Sequence, residues 1–218
     1  MNFRKISLNA LFFDLDGTLV DSRTDIANAI NFTLRRFGRK ERSIQEVSGY
    51  IGRGVADLVR QSLGAESDDI FKEALSVFRA YFRGHATDTT ILYPHVKDIL
   101  DYFTAKRKFI VTNRDTAIAR STLSALGIGR YFIDVVGGDD AECMKPSSCP
   151  LDAVFGKFDL KRKETMIVGD MDVDVLAGKN AGIATCAVTY GIGKKEDIIK
   201  AHPDYIIDDL LTLQEIIT

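Results

Sequence analysis

The 218-residue sequence holds only three cysteines and three histidines, and neither set has the spacing of a metal site. Cys143, Cys149 and Cys186 are odd in number and form no paired-thiol motif, so free reduced thiols are expected rather than a disulfide framework or a zinc centre. His85, His95 and His202 stand apart, without a second ligand at helical or hairpin spacing, and each reads as a surface or packing residue. A surplus of either charge is lacking too. With 29 basic against 31 acidic residues and a formal net charge of -2, there is no electrostatic case for nucleic acid or an anionic membrane surface as partner. No apolar run is long enough to span a bilayer, and residues 1–5 lead almost directly into the first expected strand without a cleavable leader, which makes a cytoplasmic location the expectation. Internal repeats and low-complexity linkers are missing as well. What remains is a globular chain, 45% hydrophobic, long enough for one compact domain and a smaller one, with small molecules as the expected partners.

One stretch organises the rest. From Ala10 an apolar run, Ala10-Leu11-Phe12-Phe13, ends abruptly in Asp14, Asp16, Gly17 and Thr18. In a strand, side chains two apart share a face, so Asp14 and Asp16 are expected to emerge together at its carboxyl end, where the chain turns through Gly17. Two like charges so close repel, and such pairs persist where they bind a cation, share a proton or do chemistry.

After this strand, Ser22 and Asp25 have the form of a hydroxyl cap with an acid three residues on, opening a helix that runs to Gly38. A helical turn at residues 44–47, a glycine-studded turn at 49–54 and helices at 55–63 and 68–82 complete an all-helical block. From Tyr93-Pro94 onward the texture alternates: helices at 95–106, 116–126, 151–158 and 173–181, strands at 108–112, 133–136, 165–168 and 184–188, and short closing elements at 205–207 and 210–216. This pattern predicts an α/β fold, a doubly wound parallel sheet with helices on both faces. The helical block, residues 19–88, is then an insertion that caps the sheet's working edge, with residues 1–18 and 89–218 forming the core.

Ligands of such sheets sit at the carboxyl ends of the strands. There the sequence offers Asp14 and Asp16, then Thr112-Asn113, then Lys145-Pro146, then Asp170, Asp172 and Asp174 in Gly169-Asp170-Met171-Asp172-Val173-Asp174. Acids, a hydroxyl, backbone amides and an ammonium together suit a divalent cation and a phosphoryl group. Magnesium, held by a few carboxylate oxygens and sharing phosphate oxygens, suits Asp14 and Asp170 with Asp16 or Asp174 nearby.

On these four motifs, in this order and across essentially the whole chain, the sequence resembles the haloacid dehalogenase superfamily in its phosphatase branch, and is most similar to phosphoglycolate phosphatases. The resemblance implies that Asp14 attacks phosphorus to form a phosphoaspartyl intermediate, and that Asp16 protonates the leaving oxygen and then deprotonates the hydrolytic water. It implies that Thr112, the amide of Asn113 and Lys145 hold phosphoryl oxygens, with Mg²⁺ among Asp14, Asp16, Asp170 and Asp174. Met171, where a small hydroxyl residue is usual, and Ser147-Ser148-Cys149, in place of a proline-rich stretch, depart from the family's text. Arg114 follows the phosphate pair and has two readings, holding the loop or touching substrate.

A dehalogenase would need neither Asp16 nor a metal. A sugar-phosphate mutase or a nucleotide phosphatase of the same superfamily stays open, although Thr18 favours a hydrolase. A non-catalytic phospho-receiver would not need the insertion, and the glycines of a dinucleotide-binding loop are absent after the first strand. In the turn at 49–54, Arg53 is flanked by glycines that let the backbone approach something closely, and it is expected to meet the far end of a substrate, where a guanidinium suits a carboxylate.

Overall fold

The computed structural model describes residues 4–218. Its strands are β1 (Ala10–Phe13), β2 (Val20–Asp21), β3 (Ile91–Leu92), β4 (Arg107–Val111), β5 (Asp134–Val136), β6 (Thr165–Gly169), β7 (Ala184–Val188) and β8 (Tyr205–Ile207). The helices are α1 (Arg23–Arg36), α2 (Ile44–Ser48), α3 (Val55–Leu63), α4 (Asp68–His85), α5 (Val96–Tyr102), α6 (Thr116–Ala125), α7 (Cys149–Lys157), α8 (Asp172–Asn180), α9 (Lys195–Ala201) and α10 (Leu213–Ile216). Six of the strands form one sheet in the order β5-β4-β1-β6-β7-β8, parallel throughout. The order reverses about β1, which therefore has a neighbour on each side and carries its carboxyl end to the middle of the sheet's working edge.

The alternation of β1 sorts its side chains into two layers. Ala10 and Phe12 join Phe109, Ile167, Leu151, Val154 and Ala177 on the face covered by α7 and α8. Leu11 and Phe13 join Ile110, Met166, Val168 and residues of α5, α6 and α10 on the other. With helices on both faces, all four residues of β1 are buried, which is why its sequence is uniformly apolar. Helices α1–α4 bury a third cluster, built on Ile30, Leu34, Val59, Phe78 and Phe82 and joined by Ile118 of α6.

Several details differ from the sequence-based expectation. The helical block leaves and rejoins the sheet through β2 and β3, two-residue strands paired antiparallel, Val20 with Leu92 and Asp21 with Ile91. They are too short for a periodic signal. Ser22 does not cap α1, because its hydroxyl donates to Asp16 instead. Asp25 is likewise drawn away: its carboxylate accepts from the backbone and hydroxyls of Thr89 and Thr90, tying the first turn of α1 to the segment after α4. His95 sits just ahead of α5 in a left-handed conformation rather than in its first turn. The thiols require a larger correction. Cys143 and Cys149 form a disulfide, their Cα atoms 5.2 Å apart, and only Cys186 is free, buried in the sheet. The chain turns back between them, with Ser147 donating to the carbonyl of Met144, and that turn, not the six-residue spacing, pairs the sulfurs. No helix among the described residues is long and apolar enough to cross a membrane.

Candidate active site

Where β1 ends, Asp14 still pairs with the sheet, its N–H donating to Val168 at 2.9 Å, and Gly17 then turns the chain with φ at +91°. A side chain on Gly17 would overlap the carboxylate of Asp170, so glycine is required there on two counts. The neighbouring strands deliver the rest. Beyond β4 come Thr112, Asn113 and Arg114, beyond β6 comes Asp170, and the disulfide-closed loop before α7 brings Lys145.

Lys145 is the electrostatic centre. Its Nζ donates to Asp14 Oδ1 at 2.6 Å, to Asp174 Oδ1 at 2.6 Å and to the carbonyl of Val111 at 2.7 Å, and its side chain is only 2% exposed. Burial by itself would push the ammonium down, but Asp14 and Asp174 more than offset this and hold it above the usual lysine range. Asp14, Asp170 and Asp174 form a buried group whose ligand atoms all lie within 4.8 Å of one another. Burial, with Asp14 and Asp174 beside it, pushes Asp170 up to about 8, and burial raises Asp174 to about 6 against the pull of Lys145. Around Asp170, Thr18 donates to Oδ1 at 3.1 Å, and the N–H groups of Ile192 and Gly193 donate to Oδ2 at 2.7 and 3.1 Å. Asp174 is positioned at the start of α8, where its Oδ2 accepts from the Met171 N–H at 3.0 Å.

Asp16 is directed differently. Its Oδ1 accepts from Arg114 Nη2 at 2.5 Å and from the Ser22 hydroxyl, so its carboxylate is held apart from the group of three. Burial raises Asp16, with Arg114 and Ser22 opposing. Arg114 is nearly as buried as Lys145 and hydrogen-bonds Thr122. The Asn113 side chain clasps Lys145 through both backbone groups and also donates to the carbonyl of Gly52 in the helical block at 2.8 Å. Thr112 Oγ1 accepts from the Arg114 N–H at 3.2 Å.

These groups line one cavity of about 50 Å³, which Asp14, Asp16, Thr112, Asn113, Arg114, Lys145 and Asp174 share with apolar residues of the helical block. Arg53 is not among them. Its side chain, 56% exposed, lies in an adjacent cleft and pairs with Asp172 at 3.1 Å. The glycines of its turn do bring backbone close, but to Met171 and Met144 rather than to the cavity's acids.

A family model described as haloacid dehalogenase-like hydrolase matches residues 11–188, spanning every motif that meets in this cavity. The chain belongs to that family. Within the haloacid dehalogenase-like hydrolases it is 36% identical over 212 residues to phosphoglycolate phosphatase 1 of Pseudomonas aeruginosa, covering 93% of this chain and 77% of that one. It is 32% identical over 219 residues to the phosphoglycolate phosphatase of Vibrio parahaemolyticus, covering 96% of each. A crystal structure described as a predicted phosphoglycolate phosphatase from Haemophilus somnus superposes with a TM-score of 0.89 at 31% identity, covering 95% of this chain and 97% of that one. This family member is a phosphatase, with a buried acidic group of the kind that holds a metal.

Proposed function

We propose that the chain is a Mg²⁺-dependent phosphatase of small phosphorylated metabolites, phosphoglycolate first among them, acting through a phosphoaspartyl intermediate on Asp14. The observation that carries this reading is the bond from Lys145 to Asp14 beside Asp170 and Asp174, at the central strand end of a capped cavity. Three buried carboxylates exceed what one ammonium neutralises, and oxygen-only ligands suit a hard divalent cation. Asp14, Asp170 and Asp174 would hold it; when bound, magnesium supplies positive charge that eases the approach of an anionic phosphoryl group.

In this mechanism Asp14 attacks phosphorus, and the bond to the leaving oxygen breaks as Asp16 gives that oxygen a proton. Asp16, now a base, takes a proton from water, which attacks the phosphoaspartate and regenerates Asp14 with release of phosphate. Thr112 and the Asn113 amide orient phosphoryl oxygens, and the Lys145 charge, held against Asp14, offsets theirs. Residues 19–88 serve as the cap, and the small free volume supports a compact leaving group over a nucleoside.

The test is a hydrolysis screen with Mg²⁺ over phosphoglycolate, sugar phosphates and nucleoside monophosphates, run beside Asp14→Asn. Release of phosphate by the parent protein, stopped by chelation and absent in Asp14→Asn, is expected. Turnover that survives either exhaustive chelation or the substitution would overturn the reading.

A further inference from the structure

The cap presents carbon to the cavity: Ile26, Ile51, Val55, Leu58, Phe78 and Phe82. Arg53, the cation expected from sequence to meet a carboxylate, faces the neighbouring cleft. Two cationic side chains do line the cavity, and both come from the core. Lys145 has no capacity left, since the three protons of an ammonium match its bonds to Asp14, Asp174 and Val111. Arg114 is different. A guanidinium carries five N–H donors, and the bonds to Thr122 at 3.0 Å and Asp16 at 2.5 Å engage one on each terminal nitrogen. The group is also held in place, because Thr122 anchors one arm and the cap's Phe82 ring lies 5.0 Å from Cζ. Its side chain is 3% exposed, so any anion reaching it is dehydrated and meets a fixed fork.

We propose that Arg114 is the specificity-determining residue of this site, its guanidinium receiving the carboxylate of a small phosphorylated acid while the apolar cap wall encloses the carbon skeleton. The assignment rests on the phosphatase reading above. It makes one cation serve two carboxylates, the substrate's and that of Asp16, so an acid-bearing leaving group is aligned against the residue that protonates its bridging oxygen. An uncharged leaving group of the same size finds only the apolar wall.

The experiment compares kcat/KM for phosphoglycolate and for ethyl phosphate, which replaces the carboxylate by a methyl group, in the parent protein, Arg114→Gln and Arg114→Lys with Mg²⁺. The parent is expected to prefer phosphoglycolate. Removing a charged hydrogen-bonding partner should lower that preference roughly ten- to hundred-fold in Arg114→Gln. Arg114→Lys, which keeps the charge and serves alone should the glutamine variant not fold, should lower it several-fold, with the loss carried mainly by KM for phosphoglycolate. Equal losses on both substrates would reduce Arg114 to a residue that positions Asp16 and overturn the proposal. A parent protein that hydrolyses ethyl phosphate as well as phosphoglycolate would overturn it too, leaving the phosphatase reading intact. A parent that hydrolyses no phosphomonoester would remove that reading, and this one with it.

Discussion

Asp16 and Asp170 are both buried acids, but they answer to different neighbours and different tests. Asp16 bonds Arg114 and Ser22 rather than the cation group, so Asp16→Asn leaves the group of three carboxylates whole. It should slow hydrolysis of an alkyl phosphate by roughly a hundred- to ten-thousand-fold, the usual worth of a positioned proton donor, and slow an aryl phosphate with a good leaving group much less. A loss below about tenfold on the alkyl ester would exclude it as the acid. Asp170 bears on stability. Its folded-state value, about 8, lies above the ordinary 3.8, so between those limits the folded protein keeps a proton that the unfolded chain has released. The stability that this proton contributes is therefore fully present below about 4 and lost as pH rises through about 8. It is opposite in sign to the contribution of Asp25, which, against its burial, its bonds hold below the usual carboxylate range. In chelator, the melting temperature should fall across that window; Mg²⁺ should restore it at the alkaline end, and Asp170→Asn should flatten the dependence. A melting temperature of the chelated protein that does not respond to pH would contradict the burial argument.

At the scale of elements, the loop closed by Cys143 and Cys149 carries Lys145, whose backbone is clasped by Asn113. Closing so short a loop stabilises by about 2 kcal/mol in the chain-entropy account. Reduction, or Cys143→Ser with Cys149→Ser, should lower the unfolding free energy by that order, seen as a lower urea midpoint, and raise KM more than it lowers kcat, because the loop orients Lys145 without reacting; an unchanged midpoint would deny the bridge a role. This pairing also marks where sequence reading ends. Strands that finish in Asp14, Thr112 and Asp170 were legible because an apolar run stopping at a polar residue is a local signal. The approach of Cys149 to Cys143, the reach of the Ile192 and Gly193 amides to Asp170, and the choice of Arg114 as the partner of Asp16 depend on how loops cross, which no local period encodes. Arg114 did carry one signal, its place directly after Thr112-Asn113. The direction of Arg53 carried none, since a glycine-rich turn can present its side chain to either side.

Across the whole molecule, the helical block is tied to the sheet by the pairing of β2 with β3, by the bonds of Ser22 to Asp16, of Thr89 and Thr90 to Asp25 and of Asn113 to Gly52, and, at the exposed margin, by the ion pairs of Arg53 with Asp172 and of Arg79 with Asp115 at 3.2 Å. Exposed pairs of this kind contribute about 0–1 kcal/mol. Arg53→Ala should therefore change kcat/KM by less than about fivefold, and equally for phosphoglycolate and ethyl phosphate; a loss confined to the carboxylated substrate would return Arg53 to the substrate's far end. The position of β1 has a consequence of another kind, in time. Its neighbours in the sheet start at Arg107 and Thr165, while β1 itself ends at Phe13. At roughly 5–20 residues added per second during synthesis, β1 waits about 5–20 s for its first neighbour and about 8–30 s for its second. The helices of the cap, whose partners lie much nearer along the chain, are complete well before then. The strand bearing Asp14 is thus made before every other strand of the sheet and enclosed only after β6, so the apolar Ala10-Leu11-Phe12-Phe13 run stands without its sheet neighbours while the residues between are translated.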